Sequence, residues 1–399
     1  MNIFVINSGS SSIKYKLFNG DNVAVARGVI ERIGHEDAVV THHYGNNRVI
    51  KLNQPVPDDE AGINLAISLL TRNDIAVIKS VNEIQVTGHR VVHGGEAFTK
   101  AVIITPLVKE KIKQLFPLAP LHNPADYKGI AVAEKILPNA VHVAVFDTAF
   151  HCSLPEKAFH YAIPQKFYKD DGVRVYGFHG INHKYVSRQA MTMLDKKRLK
   201  IISIHLGNGC SVAAIRDGVC VDTSMGLTPL DGLIMGTRSG AIDPSVVLFM
   251  LQQKHYNPEQ VSALLNKESG LLGLTGKADM RDIAELRKKG DKGAILAYEM
   301  YSYRIKKFIG AYTAVMDGVD CLIFTGGVGE NDADIRKLVC ESLGYLGVEL
   351  DEQLNKTAGT SIIINAAKSD VKVLVLPANE EMEIARQCRD LLEDLSSKS

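Results

Sequence analysis

The sequence predicts an α/β protein of two domains that repeat one plan. Its 399 residues exceed what one hydrophobic core usually serves. Short apolar runs of the strand type alternate with segments of helical period. The stretches 2–18 and 200–215 also share one pattern: an apolar strand, a polar turn with glycine, and a second apolar strand. We therefore expect a duplicated strand–turn–strand unit at the start of each half.

In the first half of the sequence, the pattern predicts strands before and between helices. Thr105 with Pro106 is a cap and first-turn signal for a helix. The strand that ends the half delivers Asp147 at its carboxyl end, where open α/β sheets bind ligands. The predicted elements are strands at 3–6 and 13–18 around a turn at 7–12, short strands in 23–53, a helix from 58 with Ile63, Ala66, Ile67 and Leu70 on one face, a strand at 84–86 before a functional loop GHRVVHGGE, helices after 105 and at 125–136, and a strand at 141–147.

The second half repeats the alternation. We expect the domain junction just after Asp147 and the last helix to pack back onto the first domain. The predicted domains are residues 1–149 with 382–399, and residues 150–381. The predicted elements are the hairpin at 200–215, helices opened by Asp243-Pro244 and Asn257-Pro258, a helix from Lys292 to Met316, a strand at 321–324 before a TGGVGEN loop and a helix from Asp332, and a strand in VLVLPANEE before the last helix.

The composition excludes two kinds of partner. Lys and Arg number 46 against 45 Asp and Glu, a net charge of +1, so attraction to nucleic acid or to a membrane surface is not expected. The six cysteines are scattered without a C-x-x-C pair, which favours reduced thiols. No apolar run approaches the roughly 18 residues of a membrane span, and no secretion signal is evident. The sequence therefore predicts a cytoplasmic protein.

The turn at residues 7–12 has two interpretations. NSGSSS followed by Lys14 offers many short donors around one glycine, as a phosphate-binding loop does, but hairpin turns favour the same residues.

The common nucleotide-binding motifs are missing from the sequence. GLLGLTGKA has one residue too many for a P-loop and ends on Ala278, and neither LGNGC nor TGGVGEN completes G-x-G-x-x-G. Small-residue loops on two similar halves suit a nucleotide held between two domains.

Ten short motifs, in their order and spacing, resemble the acetate kinase family, which belongs to the superfamily of actin-like, sugar-kinase and heat-shock ATPases. They are GHRVVHGG, APLHNP, VFDTAFH, YGFHG, HLGNG, VDTSMGLTPLDG, MGTRSG, KESGLLGL, FTGGVGEN and NEE. The similarity runs from residue 3 to about residue 386. It implies two duplicated actin-like ATPase (ribonuclease H-like) domains with the active site in the cleft between them. It also implies reversible, Mg²⁺-dependent transfer of the ATP γ-phosphoryl group to acetate, giving acetyl phosphate and ADP.

The implied reaction makes specific demands on side chains. Acetate is already ionised at neutral pH, because carboxylic acids of this kind have a pKa of about 4 to 5, so transfer needs no general base. Cations must instead offset the repulsion between acetate and triphosphate and hold them in line. The resemblance assigns Arg90 to the acetate carboxylate and Arg238 to the transferring group, and a planar guanidinium suits both tasks. The alternative for each arginine is a structural salt bridge.

Histidines and one aspartate complete the implied catalytic set. The resemblance assigns His179, in GFHG, to the equatorial oxygens of the phosphoryl group. A lone histidine is more often a buried hydrogen-bonding residue, and His122, His183 and His205 have the same two interpretations. The family pattern gives Asp147 a proton-transfer role, which an ionised acceptor makes redundant. We predict instead that Asp147 acts through Mg²⁺, directly or by water, and by orienting an arginine.

The resemblance also implies the nucleotide and metal sites. Asn7 and Glu380 are the metal-associated positions, with Glu381 as the alternative to Glu380 and Mn²⁺ as an alternative metal. Ser10, Ser12 and Lys14 would face the β- and γ-phosphates of ATP. For Arg281, a charge on a helix surface is the strong alternative. The other implied nucleotide-binding residues are His205, Leu206, Gly207, Asn208 and Gly209, with Asp279, Met280, Arg281, Gly327, Val328, Gly329, Glu330 and Asn331 on the adenosine side.

A small apolar pocket would hold the acetate methyl. By resemblance its residues are Val92, Leu121, Phe178 and Pro229, with His122 beside the substrate, although such apolar residues are usually plain core. A pocket of this kind separates acids that differ by one methylene by about 10- to 200-fold, so propionate should be a poorer but real substrate. The chain departs from the family pattern at Ala241 for Asp, Ile181 and Asn182 for Thr-Ser, and Ala378 for Thr.

The sequence therefore predicts an acetate kinase reaction on ATP and acetate, in a homodimer by family analogy, with no nucleic-acid or membrane partner. One alternative is a propionate or butyrate kinase of the same family. Another, from a different class, is an actin-like or chaperone-like ATPase without a carboxylate acceptor. The predicted acceptor residues separate these classes, because they have no purpose where the acceptor is water: Arg90, Val92, His122, Asp147, His179 and Arg238.

Overall fold

The computed structural model describes residues 1–9, 12–45, 48–357, 359 and 362–397. The chain divides into two compact units. Unit 1 comprises Met1–Phe150 and Asn379–Ser399, and unit 2 comprises His151–Ala378. Phe150 and residues 379–381, which the sequence prediction assigned to the second domain, thus belong to unit 1. The domain limits as such stay a prediction.

Fourteen strands and fifteen α-helices occur in the described residues. The strands are β1 Asn2–Ser8, β2 Ser12–Phe18, β3 Ala24–Glu31, β4 Ala38–Tyr44, β5 Arg48–Gln54, β6 Ile84–Val91, β7 Val102–Ile103, β8 Val141–Phe146, β9 Lys200–Leu206, β10 Cys210–Arg216, β11 Val219–Thr223, β12 Cys321–Thr325, β13 Ile362–Ile363 and β14 Lys372–Val375. The helices are α1 Asp59–Thr71, α2 Pro106–Gln114, α3 Asn123–Ile136, α4 Glu156–Phe159, α5 Lys166–Asp171, α6 Gly180–Met193, α7 Pro244–Gln253, α8 Pro258–Lys267, α9 Gly270–Thr275, α10 Met280–Lys288, α11 Lys292–Met316, α12 Gly326–Asn331, α13 Ala333–Cys340, α14 Glu352–Thr357 and α15 Glu380–Ser396.

Unit 1 is built on one sheet of order β5-β4-β3-β2-β1-β6-β8-β7. Strands β1, β6 and β8 run parallel, and the outer pairs are antiparallel. Helices cover both faces of the parallel centre, which is why β1 reads as an unbroken apolar run. Phe4 and Ile6 belong to a core cluster with α1 and α3 residues. On the other face α15 lies so close that a Cβ at Gly88 would be 2.7 Å from Ile384 Cγ2.

Unit 2 is built on a sheet of order β11-β10-β9-β12-β14-β13. Strand β9 is antiparallel to β10 and parallel to β12, and β12 is parallel to β14. Edge strands β11 and β13 are antiparallel to their neighbours. This is the order and direction of β3-β2-β1-β6-β8-β7 in unit 1, so the predicted duplication is confirmed. Among the described residues, only unit 1 extends its sheet with β4 and β5.

Local signals account for several helix ends. The side chains of Thr105, Asp243 and Asn257 cap helices that have proline in their first turn. Helix α11 has the predicted bounds, between the capping side chain of Asp291 and Asp317 in the left-handed region. In the part of the chain that the structure describes, no helix is both long and apolar enough to cross a membrane. All six cysteines are free thiols.

Three predicted boundaries were wrong. Strand β6 continues to Val91, so Arg90 lies on a strand and not in the predicted loop, because β6 pairs with β1 and β8 on both sides. The TGGVGEN segment is not a loop, since residues 326–331 form the short helix α12. The first turn is also shorter than predicted, because β1 includes Asn7 and β2 begins at Ser12.

Candidate active site

In unit 1, an ion pair joins the carboxyl ends of β6 and β8. Arg90 Nη2 donates to Asp147 Oδ2 at 2.8 Å. The Asp147 side chain is 1% exposed and that of Arg90 18%. The backbone N–H of Asp147 donates to the Val91 carbonyl at 2.9 Å, so the residue after β8 stays tied to the end of β6. The structure thus brings together two residues that the sequence predicted to be catalytic.

Carboxylates of α15 extend this cluster. Glu380 Oε2 lies 3.8 Å from Arg90 Nε, which has no hydrogen-bond partner among the described residues. The neighbouring Glu381 pairs instead with Lys16 at 2.8 Å, and Lys16 also donates to the Asn379 side chain at 2.7 Å. The two acidic residues that the sequence left as alternatives therefore have different partners, and Glu380 is the one beside Arg90.

The cluster contains more negative than positive charge. Burial raises the pKa of Glu380 to about 7, the Arg90 guanidinium works against this, and Asp147 and Glu381 add to it. The positive charge of Lys14 also lowers the pKa of Glu380. Burial alone would lower the pKa of Arg90, but Asp147 and Glu380 together raise it. Arg90 therefore stays fully charged, while Glu380 resists ionisation unless another cation arrives.

Asp126 is a member of this cluster that the sequence analysis missed. It lies in the first turn of α3 and is 5% exposed. Its Oδ2 accepts a 2.9 Å hydrogen bond from the backbone N–H of Val92. Burial raises the pKa of Asp126 to about 7, and the charge of Arg90 opposes the rise. An acidic residue in a first helical turn usually indicates a solvated charge, and no signal in the sequence distinguished this one.

The β1–β2 hairpin provides the residues predicted to contact phosphate and metal. Asn7 and Lys14 are cross-strand partners near its turn. Ser12 begins β2, and its carbonyl accepts from the Gly9 N–H at 2.8 Å. Ser10, predicted to bind nucleotide, lies outside the described residues. Lys14 is exposed, so its ammonium is available to an anion.

The predicted methyl-pocket residues differ in burial. Within unit 1, Val92 is 4% exposed, but Leu121 is 65% exposed. His122 is half-buried at the start of α3. In unit 2, Phe178 is buried, and the carbonyl of the half-buried Pro229 accepts from Arg238 Nη1 at 3.2 Å. That these residues form one pocket stays a prediction.

In unit 2, histidines gather where α6 meets β9 and β10. His179 precedes α6 with φ at +55°, a conformation of extra cost for a non-glycine residue. Its ring stacks on that of His205 with centroids 4.2 Å apart. Ser211 Oγ lies 3.0 Å from His179 Nδ1 and 2.8 Å from Nε2 of the buried His183. The Ser211 hydroxyl therefore links the predicted phosphoryl-binding histidine to a second one behind it.

Asn182, one of the departures from the family pattern, is fully buried beside this cluster. Its Nδ2 lies 2.8 Å from His205 Nδ1 and donates to Thr325 Oγ1 at 3.3 Å. When the amide donates to Nδ1, neutral His205 carries its proton on Nε2. Ile181 is buried next to it. At a further departure, the Ala241 carbonyl accepts from Arg304 Nη1 at 2.9 Å.

Arg238 approaches the β9–β10 turn. A Cβ at Gly209 would lie 3.3 Å from His179 Cε1 and 3.5 Å from Arg238 Nη1, so this turn, His179 and Arg238 meet at one place in unit 2. Burial lowers the pKa of Arg238, though not enough to neutralise a guanidinium. Leu206 is buried, Gly207 donates to the Gly209 carbonyl at 3.1 Å, and Asn208 is exposed. A guanidinium, an imidazole and a glycine turn are a suitable set for binding phosphate oxygens.

The predicted adenosine-side residues fall into two groups of unit 2. Asp279 caps α10 and pairs with Arg281 at 2.6 Å, where Arg281 is 90% exposed, as expected for a helix-surface charge. Met280 is buried. The other group forms α12, where Glu330 Oε1 accepts from Gly326 N–H and Ala378 N–H at 3.0 and 2.9 Å. The remaining members of this group are Gly327, Val328, Gly329 and Asn331.

Arg336 supports α12 and was not predicted. It is 1% exposed, and its Nη1 donates to the carbonyls of Gly329 and Glu330 at 2.8 and 2.9 Å. Its Nε and Nη2 donate to the side chain and backbone of Asn355. A charged residue within a helix usually indicates a surface position, so no sequence signal distinguished Arg336.

The donor chemistry of unit 1 fits a divalent cation. No group of three or more His, Cys, Asp or Glu side chains among the described residues is arranged to hold a metal by itself. Mg²⁺, however, keeps several waters and often takes only one or two carboxylates together with substrate phosphates. Asp147 provides a buried carboxylate and Glu380 a half-buried one around a single guanidinium, with the pKa of Glu380 raised to about 7. Such a pair is suited to a further cation.

The fold is that of an α/β protein with a duplicated sheet, and each unit has a cluster of side chains suited to anionic ligands. The model of the Acetokinase family matches residues 2–386. An acetate kinase from Thermotoga maritima is 48% identical over 402 residues, which cover 99% of this chain and 100% of that protein. The crystal structure of an acetate kinase from Porphyromonas gingivalis matches with a TM-score of 0.92 and 42% identity, covering 98% and 99% of the two chains. A propionate kinase from Francisella tularensis matches with a TM-score of 0.91 and 41% identity, covering 97% and 98%.

The chain therefore belongs to the acetokinase family of carboxylate phosphotransferases. The similarity to these solved structures also confirms the predicted fold class, two duplicated domains of the actin-like ATPase type.

Proposed function

We propose that this protein catalyses reversible transfer of the γ-phosphoryl group of ATP to acetate. The observation that carries the proposal is the state of Arg90. Its Nη2 is held by Asp147, while its buried Nε has no hydrogen-bond partner among the described residues. A fixed guanidinium with donor capacity left suits a small carboxylate.

In the proposed reaction a carboxylate oxygen of acetate forms a bond to the γ-phosphorus. The bond from that phosphorus to the β,γ-bridging oxygen breaks, and its electron pair leaves with ADP. No proton has to be removed, because acetate is already ionised. Arg90 holds the acceptor, and Arg238 and His179 donate to the oxygens of the transferring group, where charge is spread in the transition state.

Mg²⁺ belongs to the same proposal. Asp147, Glu380 and Asn7 are the residues of unit 1 that would hold it, Asp147 directly or through water, and Mn²⁺ is an alternative. When bound, the cation neutralises phosphate charge. Asp147 also fixes the guanidinium of Arg90, so we assign it no proton transfer.

Two groups of residues are proposed to bind ATP. Ser12 and Lys14, with Ser10, act on the β- and γ-phosphates, and the β9–β10 turn with His205 acts on the phosphates from unit 2. Residues 279–281 and α12 form the adenosine side. Of these, Arg281 has the weakest support, because its guanidinium is already paired with Asp279.

A homodimer in the cytoplasm is proposed as the working form. Support for self-association comes from α7, whose Val246, Leu248 and Phe249 are 43%, 52% and 52% exposed. A run of exposed apolar side chains on one helix is typical of an interface. The cytoplasmic location rests on the sequence prediction.

Propionate is the closest competing acceptor. A propionate kinase is among the similar solved structures, and an apolar pocket separates neighbouring acids only modestly, by about 10- to 200-fold. We expect propionate to react measurably but more slowly than acetate at equal concentration. A complete absence of propionate turnover would contradict a pocket of this kind.

Trapping the acyl phosphate tests the proposal. The full-length protein is incubated with ATP, Mg²⁺ and hydroxylamine, with acetate, propionate, butyrate or no acid, and acyl hydroxamate and ADP are measured. We expect ADP to appear only with hydroxamate and acetate to be the best acid. Arg90→Gln should raise the acetate KM strongly, whereas Arg72→Gln, at an exposed surface pair, serves as a matched control. ADP release that is independent of any carboxylate would favour an actin-like or chaperone-like ATPase.

A further inference from the structure

Three consecutive backbone N–H groups follow the end of β6, and each donates to a side chain of another segment. Val92 N–H donates to Asp126 Oδ2 at 2.9 Å, His93 N–H to Asn123 Oδ1 at 3.0 Å, and Gly94 N–H to Thr148 Oγ1 at 3.0 Å. Beyond a strand end such groups normally turn to water or to another backbone. Here all three N–H groups of the segment Val92–Gly94 donate to side chains, and a backbone N–H, that of Phe98, reaches only the Gly94 carbonyl, at 3.2 Å. We call this segment the acceptor segment, because its first residue is assigned to the acetate acceptor.

The side chains that hold the acceptor segment are themselves rigidly placed. Asn123 and Asp126 lie in the first turn of α3 and are 0% and 5% exposed. Helix α3 itself packs on β1 and β6. Asn123 bonds twice, because its Nδ2 also donates to the His93 carbonyl at 3.0 Å. Thr148 comes directly after Asp147 and is 1% exposed. Buried, multiply bonded groups of this kind define a single local geometry.

The acceptor segment controls two side chains of the proposed site. Arg90 precedes it on β6, and Val92, assigned by resemblance to the acetate methyl, is its first residue. A shift of Val92 by about 1 Å would change the space beside the acetate methyl. Displacements of that size in an active site can reduce the reaction rate strongly. The position of Val92 is set by Asp126, which bonds its N–H.

We propose that Asp126 and Asn123 are positioning residues that set the length of carboxylic acid the enzyme accepts, by fixing the acceptor segment. This inference rests on the proposed function. Asp126 acts as a hydrogen-bond acceptor for Val92 N–H. Its charge is not the essential property, because Asp147 and Glu380 already face Arg90. A neutral amide oxygen in the same place can accept the same hydrogen bond from Val92 N–H.

A pair of variants separates this role from a general structural one. Asp126→Ala removes the acceptor and leaves Val92 N–H without its partner, whereas Asp126→Asn keeps an acceptor oxygen. Glu134→Ala removes another carboxylate of α3, which pairs with Lys109, and is the matched control. Because the Ala variant can fail to fold, Thr148→Val provides a second route, since it removes the acceptor of Gly94 N–H with little change in volume.

KM values for acetate, propionate and ATP are measured by hydroxamate formation. We expect Asp126→Ala to raise the acetate KM at least 10-fold, to leave the ATP KM within 3-fold, and to reduce the preference for acetate over propionate at least 3-fold. Asp126→Asn should change the acetate KM less than 3-fold, and Thr148→Val should act in the direction of the Ala variant. Equal losses for acetate and ATP, or an Asn variant as impaired as the Ala variant, would overturn the proposal.

Hydrogen exchange separates failure of this inference from failure of the proposed function. In the wild-type protein the amides of the acceptor segment should exchange slowly, and Asp126→Ala but not Asp126→Asn should accelerate them at least 10-fold. Rapid exchange in the wild type would overturn the positioning role whatever the activity. If the wild type forms no hydroxamate with any acid, the proposed function is wrong. If it does, and acid preference is unchanged in a variant with fast exchange, only the inference is wrong.

Discussion

Arg90 and Asp147, which are 57 residues apart in the chain, form a hydrogen-bonded ion pair at the ends of two adjacent parallel strands. The backbone holds the pair in register, because Asp147 N–H donates to the Val91 carbonyl. The carboxylate is nearly inaccessible and the guanidinium is partly exposed. Asp147 thus has a fixed partner on one side, so a substitution at Asp147 tests its proposed role with Mg²⁺ and its hold on Arg90 together.

Asp147→Asn should reduce turnover by at least about 100-fold and raise the Mg²⁺ concentration needed for half-maximal rate. The amide keeps the shape of the side chain but removes the negative charge that Mg²⁺ and Arg90 require. Initial rates at varied Mg²⁺ measure both effects. A variant with nearly normal turnover and Mg²⁺ dependence would show that Asp147 has neither function.

Ser12→Ala should raise the KM for ATP or lower turnover, with less than 3-fold change in the acetate KM. Ser12 begins β2, in the same hairpin as the cross-strand partners Asn7 and Lys14. The substrate proposed to bind this hairpin is the triphosphate of ATP. Leu121→Ala is a useful comparison, since an effect of that variant should fall on the acid. If Ser12→Ala weakens acetate more than ATP, the hairpin has been assigned to the wrong substrate.

Arg336→Lys should destabilise the protein by roughly 3 kcal/mol, because a lysine cannot satisfy all the buried acceptors that the guanidinium reaches and each orphaned group costs about 1–3 kcal/mol. As those acceptors include the carbonyls of Gly329 and Glu330, we also expect the ATP KM to rise about 10-fold with little change for acetate. Urea unfolding and steady-state kinetics measure the two effects. Arg287→Lys, at a surface pair with Asp334, should show neither.

His42 should make the protein less stable as the pH falls from about 6.5. Burial, with the charges of His43 and Arg72, lowers the pKa of His42 to about 4 in the folded state, against about 6.5 when unfolded. Between these two pKa values the unfolded chain binds the proton and the folded chain does not. The contribution of His42 to the free energy of unfolding is therefore fully present above pH 6.5 and is lost progressively towards pH 4. By pH 5 the loss from this residue should be on the order of 1–2 kcal/mol.

His42→Gln tests this dependence. The fall in the urea midpoint between pH 7 and pH 5 should be smaller in the variant than in the wild type, although the variant starts lower because the 2.8 Å contact of Tyr15 with His42 is altered. His35→Gln, at an exposed position, should leave the fall unchanged. Equal pH dependence in His42→Gln and the wild type would mean that folding does not lower the pKa of His42.

Local signals were sufficient to predict much of the fold. The hairpins β1–β2 and β9–β10 are visible in sequence because each combines two apolar runs with a short polar turn, and their similarity indicated the duplication. Helix α11 has the predicted bounds, and Gly318, which marked its predicted end, follows the left-handed residue Asp317. These features depend on neighbours in the chain.

Features that depend on distant residues were missed. Strand β6 extends through Arg90 only because strands far away in sequence pair with both of its edges. The glycine-rich α12 is helical where Arg336 binds its last carbonyls. Asp126 is buried because α3 lies on β6, which no periodicity could indicate. The candidate site itself came from the family resemblance, and the roles of its residues stay predictions.

The two chain termini belong to unit 1, while unit 2 is one continuous segment. During synthesis, α15 therefore leaves the ribosome only after all of unit 2. At about 5–20 residues per second, unit 2 takes roughly 10–45 seconds to make. Throughout that time the face of β1 and β6 around Val5 and Gly88, which α15 covers, lacks its partner. The nascent chain thus carries an apolar sheet face that stays uncovered until α15 has been made.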